Sequence, residues 1–124
     1  MLQKLTPILR VEKIEPCLSF WVDRLGFTKV TEVNEGDALG FVILTLGHIE
    51  VMLQSRASLA KDIPALAQGE FPASVLYFGI TGLEEIEKKL EGVEVIVPRR
   101  ETFYGAREIW VRAPGGHVVA FASA

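Results

Sequence analysis

Polar and apolar positions alternate with period two over residues 6–11, with Leu9 and Val11 on one face and Thr6, Ile8 and Arg10 on the other. That alternation predicts a strand with one buried face. From residue 12 the period lengthens: Ile14, Leu18, Trp21 and Leu25 recur at helical spacing up to Gly26. This predicts an amphipathic helix over about residues 12–25, with the glycine as its stop. Residues 27–33, 38–46 and 49–54 are rich in β-branched and aromatic side chains and are separated by Asn34-Glu35-Gly36 and by Gly47-His48, so they predict a meander. Residues 55–73 (SRASLAKDIPALAQGEFPA) carry two prolines and no sustained period, and predict a linker with room for a short helix. The pattern then restarts. Residues 74–80 predict a strand, 83–90 a short helix closed by Gly92, and 93–98 a strand. Residues 107–112 and 117–122 predict a hairpin around Ala113-Pro114-Gly115-Gly116.

Both halves thus run strand, helix, three strands. Leu9-Arg10-Val11 and Phe78-Gly79-Ile80 hold corresponding places, and the separation from Leu9 to Phe78 equals that from His48 to His117. The order of elements, more than matched letters, predicts an internal duplication. The expected architecture is α+β: two tandem βαβββ modules, about residues 5–54 and 74–124, joined by a linker at about 55–73 within one domain of 1–124. Each helix covers one face of its own sheet, and the uncovered faces are expected to curve around a cavity that serves as the binding site.

Composition narrows the partners. With 124 residues the chain is long enough to bury a core without staples. Lys+Arg is 13 against Asp+Glu 16, a net charge of −3, and no basic run offers a phosphate-binding face, so nucleic acid is not an expected partner. Hydrophobic residues make up 49% of the chain, yet no apolar stretch approaches the ~20 residues that cross a bilayer. Neither membrane insertion nor export is expected, and the cytoplasm is the expected location. The surplus apolar surface suits a homodimer interface or an apolar pocket. Cys17 is the one cysteine, which excludes an intrachain disulfide and a thiolate cluster. Within the first helix it reads as a small buried or half-buried thiol rather than a nucleophile.

Three stretches carry a family likeness: TPILRV at residues 6–11, LSFWVDRLGF at 18–27, and YGAREIWVRAPGGHVVAF at 104–121. Together they resemble the vicinal oxygen chelate superfamily, and the second and third look most like bleomycin resistance proteins and related glyoxalase-fold antibiotic-binding proteins. The chain departs from the last motif in having Ala113 for the usual Asp and His117 for the usual Asn. The resemblance implies the glyoxalase/bleomycin resistance fold and, for the superfamily's enzymes, a divalent metal held by His and Glu from the first and last strands of each repeat. Those positions fall here on Thr6, Glu50, Val75 and Ala120, of which Glu50 alone offers a metal donor. A catalytic metal site usually takes about three protein ligands. No metal is therefore expected, with metal ligation through Glu50 as the alternative. His48 and His117, at strand starts beside turns, are expected as solvated surface histidines.

Strand alternation nominates the cavity lining. Opposite Leu9 and Val11, the set Thr6, Ile8, Arg10, His48, Glu50, Met52 and Gln54 shares one face. A carboxylate there needs a partner, and Glu50 is expected either to pair with Arg10 or to contact ligand. In the second half Glu108, Trp110 and Arg112 lie opposite Ile109 and Val111, and Tyr77, alternating with Leu76 and Phe78, is expected to point into the cavity beside Val75 and Gly79. Trp110 suits stacking on a ligand, a dimer interface or core packing. The family resemblance implies a place near the pocket mouth for Tyr104, in the Phe103-Tyr104-Gly105 loop before the penultimate strand. Trp21, Phe20 and Phe27 are explained by core packing. Arg99-Arg100-Glu101 reads as a solvated turn from which Arg100 reaches an anion at most, and Glu84–Lys88 and Glu85–Lys89 as helix-surface pairs. The ligand-binding candidates are thus Arg10, Glu50, Met52, Gln54, Tyr77, Tyr104, Glu108 and Trp110. The expected function is a metal-independent, homodimeric small-molecule binding protein for an antibiotic-like or aromatic compound; the alternative is a metal-dependent lyase, dioxygenase or glyoxalase-like enzyme.

Overall fold

The computed structural model describes all residues, 1–124. The element order is β1 (Ile8–Val11), α1 (Glu15–Leu18) running into a π-helical turn (Ser19–Arg24), β2 (Thr28–Glu35), β3 (Ala38–Leu46), β4 (Ile49–Ser55), α2 (Arg56–Asp62), a 3₁₀ turn (Pro64–Ala67), β5 (Val75–Gly79), α3 (Leu83–Lys89), β6 (Glu94–Glu101), β7 (Arg107–Arg112) and β8 (Val118–Ser123). The strands form two four-stranded mixed sheets of the same topology, β1-β4-β3-β2 and β5-β8-β7-β6. In each, the first and fourth strands pair parallel and the remaining neighbours antiparallel. The chain divides into two compact units, Met1–Pro72 and Ala73–Ala124. The expected α+β architecture of two βαβββ modules is what the chain adopts.

In the first unit Leu9, Val11, Val42, Leu44, Val51 and Leu53 form the buried face of the sheet, with Ile14, Cys17, Phe20, Trp21 and Phe27 also buried. The helix differs from its expected form. It starts at Glu15, with Pro16 in its first turn where a missing N–H costs nothing. It then widens, with the Leu25 N–H donating to the Phe20 carbonyl. A one-turn π segment brings consecutive residues to the same side, and Phe20 and Trp21 are both fully buried, their rings edge-on at 5.2 Å. Leu18 and Leu25, expected on the buried face, are half-buried, and Cys17 takes that place. Gly26 ends the segment at φ +86, the left-handed conformation that its position predicted.

Residues 55–73 are more than a connector. The Ser55 side chain caps α2 by accepting from the Ser58 N–H at 3.2 Å, and α2 leads through Ile63 into the 3₁₀ turn. Arg56 donates three bonds to Glu12, further bonds to the carbonyls of Ala67 and Gly69, and stands 3.9 Å from the Phe71 ring centre. The segment is thereby fastened to the first unit.

In the second unit Leu83, Leu90, Ile109, Val111, Val119 and Phe121 are buried, and Phe78 stacks on Phe121 at 5.9 Å. β6 runs on to Glu101, so Arg99 and Arg100 lie in a strand rather than in a turn. Pro98 is tolerated because β6 is an edge strand and a register shift falls between Val97 and Arg100. On α3, Glu84 pairs with Arg107 and Arg99, rather than along the helix with Lys88.

Candidate functional site

The outer face of the second sheet, opposite the buried one, is set by register. Tyr77 (β5) lies beside Ala120 (β8), Ala120 beside Trp110 (β7), and Trp110 beside Val97 (β6). In the next row Gly79, Ala122, Glu108 and Arg100 follow in the same strand order. The small side chains on β8 leave room above the sheet for the larger ones on both sides. Tyr77 and Trp110 lean toward each other to a centroid distance of 6.2 Å, and Ala120 beneath is completely buried.

Glu108 is the centre of this face. No part of its side chain is accessible, because four neighbours lie over it. Tyr77 donates its hydroxyl to Oε2, and Tyr104 donates to the same oxygen at 2.9 Å. The Trp110 indole N–H donates to Oε1 at 3.0 Å, and Arg100 reaches Oε1 through Nε at 3.1 Å and Nη2 at 3.0 Å. A carboxylate has about four acceptor positions, so its capacity is used up. The Tyr77 bond, ahead of those from Trp110, Tyr104 and Arg100, holds the Glu108 carboxyl down at about 2 against the opposing effect of burial. The same bond pushes the Tyr77 phenol upward. Glu108 is therefore a fixed anion across the physiological range, unsuited to take up a proton as a general base.

Tyr104 reaches the carboxylate from a loop shaped by its own turn. The Thr102 N–H donates to the Ala106 carbonyl, Gly105 N–H to the Thr102 carbonyl, and Ala106 N–H to the Thr102 hydroxyl. Phe103, edge-on to Tyr104 at 5.0 Å, is fully exposed. Arg100, Glu101, Thr102, Phe103 and Tyr104 line a recess of about 260 Å³.

The outer face of the first sheet differs. Ile8, Met52 and Ile43 make an apolar row, and Arg10, Gln54 and Phe41 the next. Glu50 accepts from Thr6 at 3.0 Å and pairs with Lys4 at 3.0 Å, which lowers its pKa. The expected Glu50–Arg10 pair does not form. Parallel pairing puts Arg10 beside Gln54, four residues from Glu50, or about 13 Å along the strand. Arg10 instead donates to the Leu66 carbonyl at 3.2 Å and lies 5.1 Å from the Phe71 ring centre. Gln54 is buried, its amide donating to Ser58 at 3.0 Å. Met52 remains half-buried on the face itself.

His117 is a second correction. It is buried rather than solvated, and its Nδ1 accepts from the Ser74 N–H at 2.9 Å, while His48 is exposed. Strand parity explains the contrast: His117 is on the side of Val119 and Phe121, His48 on the side of Glu50 and Met52. Of the expected residues, Tyr77, Tyr104, Glu108 and Trp110 come together in the second unit. Arg10, Glu50, Met52 and Gln54 share the outer face of the first sheet without a common centre. Arg100, read as part of a solvated turn, is the member that sequence reasoning missed. Its only signal was the apolar run of residues 95–97 leading up to it, cut off by Pro98.

The donor set at the superfamily's metal positions does not fit a divalent ion. Val75 and Ala120 carry no donor atom, the Thr6 hydroxyl is spent on Glu50, and Glu50 is engaged by Lys4. No group of three or more His, Cys, Asp or Glu side chains converges anywhere in the chain.

No protein-family model and no curated protein sequence matches the chain. Solved structures do. TioX from Micromonospora sp. ML1 superposes with a TM-score of 0.80 at 15% identity, covering 98% of this chain and 98% of that one. Lactoylglutathione lyase from Agrobacterium tumefaciens gives 0.77 at 15% identity, over 98% and 92%. A glyoxalase/bleomycin resistance protein/dioxygenase family enzyme from Burkholderia phytofirmans PsJN gives 0.77 at 14% identity, over 95% and 95%. The chain has the fold of these glyoxalase/bleomycin resistance protein/dioxygenase structures. No helix is long and apolar enough to cross a membrane.

Proposed function

We propose that this chain is a metal-independent binding protein for a small aromatic or amphipathic molecule, of the bleomycin-resistance type, acting as a cytoplasmic homodimer. The observation that carries this reading is the saturated Glu108 carboxylate under Tyr77, Trp110, Tyr104 and Arg100. It fixes a set of aromatic side chains in place before any ligand arrives, and such preorganisation lowers the cost of binding. It offers neither a free base nor an open metal ligand. Sequestration needs no catalytic group, and the donor-poor positions Val75 and Ala120 accord with that.

The test is metal content together with ligand binding. Protein purified without chelator is assayed for bound metal, then titrated with nickel, zinc, manganese and iron. Binding of 2-naphthalenemethanol, a neutral aromatic probe, is followed by equilibrium dialysis with and without EDTA. The expected result is less than stoichiometric metal and probe binding that EDTA leaves unchanged. About one divalent ion per chain, lost in Glu50→Ala, overturns the reading in favour of a metal-dependent lyase or dioxygenase.

A further inference from the structure

We infer that Glu108 sets the class of ligand this face accepts, selecting uncharged planar ring systems and turning anions away. The inference rests on the binding reading above and adds to it the ligand chemistry and the residue that decides it. Each polar tip around Glu108 points inward. The hydroxyls of Tyr77 and Tyr104 and the indole N–H of Trp110 are all spent on the carboxylate. What remains outward is ring carbon, with Tyr77 at 50% and Tyr104 at 60% exposure, and Phe103 beyond them fully exposed. Exposed aromatic surface of this kind takes a flat partner by stacking or edge contact.

The charge of Arg100 is cancelled in the same way. Its side chain is half exposed at 49%, and two of its guanidinium nitrogens are committed to a carboxylate with no exposure at all. An arginine free to turn would form a paired contact with a carboxylate, sulfonate or phosphate. Here the Nε–Nη2 edge, which would make that paired contact, is held by Glu108. The nearby recess of about 260 Å³ lies just under the roughly 300–1,000 Å³ of drug-sized sites, which suits one or two fused rings. Glu108 does not touch the ligand in this account. It is a positioning residue that acts through the side chains it holds.

The test uses three probes on one ring: 2-naphthalenemethanol, 2-naphthalenesulfonate and 2-naphthyltrimethylammonium, measured by equilibrium dialysis against the full chain. The unsubstituted protein should bind the alcohol at least tenfold more tightly than the sulfonate. In Glu108→Gln the guanidinium of Arg100 is released, and sulfonate affinity should rise about tenfold, the scale of one charge-assisted hydrogen bond. In Arg100→Gln, the second variant should Glu108→Gln not fold, the Tyr77, Tyr104 and Trp110 donors to Glu108 remain, and trimethylammonium should gain while the sulfonate falls further. Loss of a merely structural residue would weaken all three probes together. Opposite movement of anion and cation in the two variants supports the inference. A sulfonate preference in the unsubstituted protein, or charge preferences unmoved in Arg100→Gln, overturns it while leaving the binding reading intact. Absence of any binding by the alcohol overturns both.

Discussion

Glu108 and Cys17 show how the fold sets the chemistry of a single side chain. Glu108 is held at about 2 by Tyr77 and its other donors, below the ordinary carboxylate value of 4.5. A carboxyl whose pKa is depressed on folding stabilises the native state above its unfolded value and loses that stabilisation as pH falls toward the folded one. The urea midpoint is therefore expected to drop between pH 4.5 and 2, and the drop should be shallower in Glu108→Gln. Cys17 moves the other way. Burial, with a smaller contribution from Glu15, pushes its thiol from 9.0 up to about 11, and its Sγ–H is directed at the Lys13 carbonyl at 3.4 Å. Iodoacetamide at pH 8 should label native Cys17 roughly a hundredfold more slowly than the urea-unfolded chain. The sequence made an unreactive thiol of the first helix legible, buried or half-buried, and the structure decides for full burial. It did not make the partner of Glu50 legible. Any basic residue on one face qualifies from sequence, and only the parallel register separates Arg10 from Glu50 and brings Lys4 and Thr6 to it.

At the level of elements, close approach of backbones decides what the hydrophobic pattern leaves open. Gly40 in β3 is one such point, where an added Cβ would stand 2.8 Å from the Glu35 Cβ and 3.1 Å from the Ser58 Cβ. Gly40→Ala should cost about 1–3 kcal/mol in urea unfolding, the range for an overpacked site. The π turn after α1 makes a second prediction. Phe20 has no exposed surface and meets Trp21 edge-on, so Phe20→Ala should cost about 3–5 kcal/mol by thermal or urea unfolding. The strands were legible because alternation and runs of β-branched and aromatic residues mark a sheet in the chain itself, and β1, β2, β3, β4, β5, β7 and β8 lie within a residue or two of their expected limits. The widened helix was not, since its hydrogen-bond offset has no signature in apolar spacing. Nor was the reach of β6 past Pro98, because a proline argues against a strand unless the strand is known to be at an edge.

For the whole molecule, the two modules repeat a topology more faithfully than they repeat a spacing. Leu9 pairs with Leu53, whereas Phe78, its counterpart, pairs with Phe121, so the stretch between paired strands is one residue shorter in the second module. One residue is enough to exchange the faces of a strand, and His48 and His117 accordingly fall on opposite sides. The proposed homodimer makes a prediction on this scale. Ile8 and Val75 stand about half exposed on the outer faces of the two sheets. Native mass spectrometry should find two chains, and the melting temperature should rise with protein concentration, as it does wherever association is coupled to folding. A monomer at all concentrations would remove the dimer from the proposal. The sequence by itself determined the class of fold, the order of the elements and the scarcity of metal donors, because periodicity and residue type are properties of the chain. Only the tertiary structure decided that Tyr77, Arg100, Tyr104 and Trp110 share one carboxylate, because they lie on three strands and a loop. A contact among them exists only once register and strand order are fixed.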